Sequence, residues 1–262
     1  ALENPFFQSL EAPFVRGINL GNALEAPNEG EWGVTLEEDY FRKIAEAGFD
    51  SIRLPVRWSA HAAHTAPYTI DSKFFERVDW AVEQALSRGL QVVLNIHHYA
   101  EMDHQPDEHR ARFLALWEQI AAHYRERPAE LAFELLNEPH DKLTAGKWNA
   151  ILADALAVVR KSNPQRTLVV GPVAWNSIGE LKSLELPADD RNLVMTVHYY
   201  SPFKFTHQGA HWIDPQTRPP VGNQWTGTEK EREAVIRDFD TAALWGLKHR
   251  RPIYLGEFGA FS

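Results

Sequence analysis

The amino-acid sequence predicts an α/β fold, a (β/α)8 TIM-type barrel truncated after its seventh strand. Strand-like and helix-period segments alternate along all 262 residues, and that repetition calls for parallel strands joined by right-handed crossovers. The strand-like segments are near-continuous apolar runs rather than apolar–polar alternations, as in a parallel sheet covered on both faces. No composition shift, linker or low-complexity stretch divides the chain. Barrels of about 250 residues are single domains, so residues 1–262 are read as one.

The first strand is predicted over Val15–Asn22 and the first helix over Thr35–Ala47. That helix opens on Thr35-Leu36-Glu37-Glu38, a capping-box pattern, and is closed by Gly48, the residue type that helix C-termini prefer. Ser51–Val56 follows as a strand, then helix Phe74–Arg88 closed by Gly89, strand Gln91–His98 and helix Glu108–Arg127. The second half repeats the theme with strand Leu131–Pro139, helix Thr144–Asn163, strand Thr167–Val173, helix Gly179–Leu186 and strand Leu193–Pro202. One long irregular segment, Phe203–Gly227, carries His207, Trp212 and Trp225 and is read as a ligand-contacting loop. Helix Glu229–Arg250 and strand Pro252–Phe261 complete the series. Seven strands and six helices fall short of the eight of each that close a barrel. An open version would expose the apolar edges of the first and last strands, an aggregation hazard, and truncation is the expected reason for the shortfall.

Composition excludes several classes of function. A formal net charge of −9 is the wrong sign for nucleic acid or an anionic membrane surface, both of which call for basic patches. No apolar run approaches the roughly 18 residues of a membrane span. Without cysteine there is no disulfide, thiol nucleophile or Cys-based metal site. The chain begins Ala1-Leu2-Glu3, with no basic n-region or apolar h-region.

The chemistry-bearing residues gather at the C-terminal ends of the predicted strands, the face on which barrels of this class build their sites. Arg53 lies on the second strand, His97 and His98 end the third, Asn137 and Glu138 end the fourth, His198 and Tyr200 lie on the sixth, and Glu257 on the seventh. Two glutamates at the ends of strand-like runs are the arrangement that glycosidic hydrolysis requires, one carboxyl as acid and the other as base or nucleophile. Strands four and seven stand almost opposite in a ring roughly 15 Å across, which leaves about 5 Å between inward carboxyl groups. That spacing favours a retaining over an inverting reaction.

Each residue also has a plainer reading. Arg53 could be a structural ion pair, although a guanidinium beside a carboxylate also keeps it ionised. His97 and His98 could be metal ligands, but the His-x-His and further Asp of a metal-dependent barrel are absent. Tyr200 could simply pack. Trp80, Trp117, Trp148 and Trp245 fall in helical segments and read as core, whereas Trp32, Trp175, Trp212 and Trp225 fall in loops where an indole can stack on a sugar.

Those motifs together resemble glycoside hydrolase family 5, retaining endo-β-glucanases and mannanases. The resemblance rests on Ile52-Arg53-Leu54-Pro55, Asn95-Ile96-His97-His98, Leu136-Asn137-Glu138-Pro139, Val197-His198-Tyr199-Tyr200 and Leu255-Gly256-Glu257-Phe258-Gly259. The stretch Phe205-Thr206-His207-Gln208-Gly209-Ala210-His211-Trp212 is similar to a thermophilic, broad-specificity subgroup. The resemblance implies Glu138 as general acid/base and Glu257 as nucleophile. It implies Asn137 on the 2-hydroxyl of the sugar, Arg53 and Tyr200 holding Glu257 ionised, and His97, His98 and His198 lining the site. Asn22, Glu25, Trp175, His207 and Trp212 resemble sugar contacts. The family's tryptophan at the end of strand eight has no counterpart before Ser262. The expected protein is a monomeric, extracellular endo-β-1,4-glycanase acting on glucan first and mannan second. It uses no cofactor or metal, does not engage nucleic acid or membrane, and its secretion leader is not present in this chain. A glycan-binding barrel that has lost turnover would bind sugar without product, and a metal-dependent barrel hydrolase would be sensitive to chelators.

Overall fold

The computed structural model describes residues 13–261. Seven parallel strands form one sheet in the order β1-β2-β3-β4-β5-β6-β7, curled into a nearly closed barrel of the (β/α)8 TIM type. They are β1 Gly17–Asn19, β2 Ser51–Leu54, β3 Gln91–Asn95, β4 Leu131–Glu134, β5 Leu168–Val170, β6 Leu193–Tyr199 and β7 Ile253–Phe258. The helices are α1 Glu38–Glu46, α2 Ser72–Leu86, α3 Ala100–His104, α4 Pro106–His123, α5 Ala145–Arg160, α6 Phe203–Thr206 and α7 Glu229–His249.

Period-2 alternation explains how the barrel interior is filled. Val93, Ala132, Val169 and Val194 point inward with Phe14 and Tyr254 and form an apolar plug at the bottom. Two residues further along three of these strands the same face turns polar: Asn95 follows Val93, Glu134 follows Ala132, and Thr196 follows Val194. The other face of each strand packs under the helices in the large outer core, with Ile52, Leu54, Val92, Leu94, Leu131, Phe133 and Met195 among its members. Trp117 and Trp148 are fully buried there, and Trp80 and Trp245 partly so.

The β6–β7 ladder slips register between Val197 and His198, so that His198 rather than Tyr199 pairs with Glu257. Such an irregularity re-aims a strand end, and here it brings an imidazole and a carboxylate side by side.

Several local expectations are corrected. The predicted capping box at Thr35 does not form: α1 starts after Glu37, which makes no side-chain cap. The Leu36 amide donates instead to Glu29, seven residues back along the chain and 2.8 Å away. A capping box does form at Thr228 and Glu231 ahead of α7. Gly179–Leu186 is a 3-10 turn over Ile178–Ser183 rather than an α-helix. β4 stops at Glu134 instead of running to Pro139. Gly48 and Gly89 take φ of +82° and +74°, as their place after helices predicts.

Candidate active site

Arg53 stands at the centre of the polar layer and is almost wholly buried. All five of its N–H groups are committed. Nε donates to Glu134 Oε2 (2.6 Å), and Nη2 donates to Glu134 Oε1 (2.9 Å) and to Asn137 Oδ1 (2.7 Å). Nη1 donates to Asn19 Oδ1 (3.0 Å) and Glu257 Oε1 (2.7 Å). The bidentate fork on Glu134 is the geometry a guanidinium favours. Attraction to Glu134 and Glu257 outweighs the burial that would by itself lower the guanidinium's proton affinity, and Arg53 is held charged.

Glu257 receives a second donor, since Tyr200 Oη donates to its Oε2 at 2.9 Å. Burial alone would raise the Glu257 carboxyl. The facing imidazoles of His198 and His97, the Arg53 guanidinium and the Tyr200 hydroxyl override it and hold the group well below the usual carboxylate range. Tyr200 is pushed in the opposite sense, upward, by burial and by the carboxylate it serves.

Glu138 is on a different kind of support. Its backbone has φ of +48°, a left-handed conformation that no strand residue adopts, and this is why β4 ends four residues earlier. The turn is tied from outside: the His140 amide donates to Asp103 Oδ1 (3.2 Å), the Lys142 amide to the Asp103 carbonyl (3.1 Å), and the Asn137 amide to the Ile96 carbonyl (2.9 Å). The Glu138 side chain turns into the barrel mouth, where Oε1 lies 2.8 Å from His198 Nδ1. The same nitrogen stands 3.6 Å from Glu257 Oε2. Oxygen atoms of Glu138 and Glu257 and a nitrogen of His198 all fall within 4.8 Å of one another. A metal at that triangle would compete with Arg53 and Tyr200 for Glu257 and would sit beside a fixed cation.

On the β3 side, Asn95 Nδ2 stands 3.0 Å from His97 Nδ1 and 3.3 Å from Glu134 Oε2. An amide N–H on Nδ1 keeps His97 neutral, with its proton on Nε2. Burial, reinforced by Arg53, lowers its proton affinity well below the ordinary histidine value. His98 is likewise lowered to about 4, first by burial and then by Arg57, and its ring meets Trp32 edge-on at 5.5 Å.

The structure therefore joins Arg53, Asn137, Tyr200 and Glu257 in one hydrogen-bonded network, to which His97 is tied through Asn95 and Glu134, and sets the Glu138–His198 pair 3.6 Å from it, with His98 on its flank. His207 lies against Tyr200, ring centres 4.9 Å apart, and Trp212 stands beyond it at 6.2 Å. Trp175 stacks on His140 at 4.8 Å and 21° and is 55% exposed. Asn22 and Glu25 form a separate group. The buried Glu25 carboxylate accepts from the Asn22 amide and, at 3.0 Å, from the Ala23 amide, while burial raises its carboxyl. Neither residue bonds to the Arg53 network.

Sequence reasoning missed Glu134, Asn95, Asn19 and Asp103. The first three were within reach: each stands two residues beyond an interior apolar position or on the first strand, so a period-2 count up β1, β3 and β4 reaches them. Asp103 had no local signal, because its partner His140 is distant in sequence.

Comparison with known proteins agrees with this geometry. The family model described as Cellulase (glycosyl hydrolase family 5) matches residues 11–262. Endoglucanase H of Acetivibrio thermocellus is 37% identical over 246 residues, covering 94% of this chain and 26% of that protein. The chain thus spans about a quarter of that relative's length. Cellodextrinase A of Ruminococcus flavefaciens is 31% identical over 257 residues, covering 94% of this chain and 75% of the relative. Among solved structures, Thermotoga maritima Cel5A in complex with mannotriose superposes with a TM-score of 0.92 at 47% identity, covering 98% of this chain and 82% of that one. The same enzyme in complex with cellobiose gives the same values. A barrel with paired glutamates at its mouth, matched by the family model from residue 11 to residue 262, belongs to the cellulase family, glycosyl hydrolase family 5.

Proposed function

We propose that this chain cleaves internal β-1,4 bonds of glucan chains, and secondarily of mannan, by a double displacement that retains the anomeric configuration. One observation carries the reading: Glu257 is stripped of its proton by Arg53 and Tyr200 while Glu138, which meets His198 and neither of those donors, stands within 4.8 Å of it. Retaining enzymes place their two carboxyl groups about 5–5.5 Å apart, whereas inverting ones leave 6.5–9.5 Å for a water.

In the first step a Glu257 oxygen bonds to the anomeric carbon as the bond to the leaving oxygen breaks, and Glu138 gives that oxygen its proton. In the second, Glu138 takes a proton from water, the water oxygen bonds to the anomeric carbon, and Glu257 leaves as carboxylate. Asn137 has its Oδ1 fixed by Arg53, which frees Nδ2 to donate to the 2-hydroxyl of the sugar. Trp175 and Trp212, both exposed, offer faces for sugar rings on either side. The mannotriose and cellobiose complexes of the Thermotoga enzyme support both backbones as candidates.

The test is intact mass after incubation with a 2-deoxy-2-fluoro cellobioside bearing a good leaving group, followed by peptide mapping. The fluorine slows the second step, and a covalent sugar on Glu257 is expected. An adduct elsewhere, or none on folded protein, would overturn the reading, as would substantial residual turnover by Glu257→Gln.

A further inference from the structure

Behind the two carboxylates lies a group the reaction scheme does not use. Asn176 is completely buried, and its Nδ2 lies 3.2 Å from Nε2 of His198. It reaches that place by an unusual backbone. Val173–Asn176 is one turn whose last three residues, Ala174, Trp175 and Asn176, have φ of +57°, +59° and +55°, a left-handed run that L residues adopt at a cost. The run turns Trp175 out to solvent and the next side chain in.

Two glycines clear the space. A Cβ on Gly171 would come within 2.1 Å of Asn176 Oδ1, and one on Gly256 within 2.9 Å of His198 Nε2. Neither glycine has a positive φ, so what each supplies is room. Asn176 Oδ1 has no hydrogen-bond partner. The reverse orientation of the amide would pair Oδ1 with an Nε2–H and leave both amide hydrogens unpaired against Gly171, and it is the arrangement that an Nε2–H tautomer would reveal.

An imidazole nitrogen that accepts an amide N–H cannot carry a proton. The neutral His198 ring must then hold its proton on Nδ1, which faces Glu138 Oε1 at 2.8 Å. Glu138 Oε1 is thereby an acceptor, and only Oε2 remains to carry an acidic proton. The titratable and charged groups facing the His198 ring are Glu138, Glu257 with its Arg53 and Tyr200 partners, and His97.

We propose that Asn176 is a positioning residue for proton transfer: it locks His198 as the Nδ1–H tautomer and so assigns the catalytic proton of Glu138 to Oε2. This rests on the acid/base role proposed for Glu138. The test begins with the resting protein labelled with 15N-histidine, in which two-bond proton–nitrogen correlations read the tautomer, the His198 signals being assigned by their loss in His198→Gln. The expected wild-type pattern is Nδ1–H. Asn176→Asp, isosteric and tolerant of positive φ, turns an acceptor toward Nε2. It should move His198 to a form protonated there, lower kcat roughly 10- to 100-fold with KM within about twofold, and displace the pH profile of kcat/KM. Asn176→Ser should give a mixture of tautomers and a smaller kcat loss.

An Nε2–H tautomer in the wild-type protein would overturn the assignment. So would a pH profile unchanged in Asn176→Asp once the tautomer has switched. A separate control keeps the underlying reading distinct: Glu138→Gln should retain the first step on a dinitrophenyl cellobioside, whose leaving group needs no acid. If Glu138→Gln kept full activity on unactivated cellulose oligomers, the role of Glu138 would fall while the tautomer result stood.

Discussion

Arg53 binds four partners with five N–H groups, so no donor with fewer N–H groups can replace it. Arg53→Lys keeps the charge and loses the fork. It should destabilise the fold by on the order of 3 kcal/mol, because Glu134 stays buried with an incomplete partner, and lower kcat on the order of 100-fold by loosening Glu257. Urea unfolding and steady-state kinetics read the two effects separately. Asp103 makes a prediction of opposite sign. Burial, offset in part by His140, pushes its carboxyl up to about 6. An acid raised in the folded state binds more protons folded than unfolded between its unfolded value near 4 and about 6, so its contribution to stability falls as pH rises through that window. Stability of the wild-type chain should therefore carry a downward component of up to about 1.4 kcal/mol per pH unit there. Asp103→Asn should remove it in thermal melts taken from pH 4 to 7. At this scale the sequence was informative about residues that sit in motifs, and Arg53, Glu138, His198 and Glu257 all meet as expected. It marks Glu134 only as an inward position and does not mark Asp103 at all, because their partners lie 81 and 37 residues away.

Elements were legible in kind and order, and less so at their ends. All seven strands are legible in the sequence, but the strand-like runs extend beyond the strands that form. The structure ends β4 at Glu134 because Glu138 and Asp141 both need left-handed backbone, which composition does not signal. The Thr35 and Thr228 patterns are equivalent on paper, and tertiary context decided between them: Glu29 reaches Leu36 and also holds Arg77 at 2.7 and 2.8 Å. Arg166 is a second case of a residue with no motif. It ties the end of α4 to the start of β4 by donating to the carbonyls of Tyr124, Arg127, Pro128 and Leu131, with Nε on Asn163 Oδ1. Arg166→Gln should cost on the order of 3 kcal/mol, since several buried carbonyls lose their donors. Activity per folded molecule should stay within about twofold, because the residue sits at the opposite end of β4 from the site. Denaturant midpoints and activity at low temperature check both halves.

For the whole molecule, the seam between β1 and β7 is the distinctive feature. Among the described residues β1 pairs only with β2, and β7 only with β6. The two are bridged by Asn19 Nδ2 donating to the Gly256 carbonyl at 3.0 Å and by Phe14 against Tyr254, ring centres 4.6 Å apart. Along this flank Val15 and Phe258 are strongly exposed, and so are Ile236 and Leu244 on α7. A strand laddered on one side opens at less free energy than one held on both. On slow heating of a chain made of these 262 residues alone, hydrolysis should therefore fail at a lower temperature than the helical circular dichroism signal, and β7 peptides should exchange amide hydrogens faster than those of β3 and β4. Coincident transitions would sink this expectation. The strand that opens first is the one that bears Glu257. Arg53, whose Nη1 grips Asn19 and Glu257 at once, is the clasp that holds the lips of the barrel together. Heat would thus produce a population still folded by most spectroscopic measures yet without the Glu257 proposed above as nucleophile, and a glycan bridging the mouth would act as a splint that protects the reaction before it protects the fold.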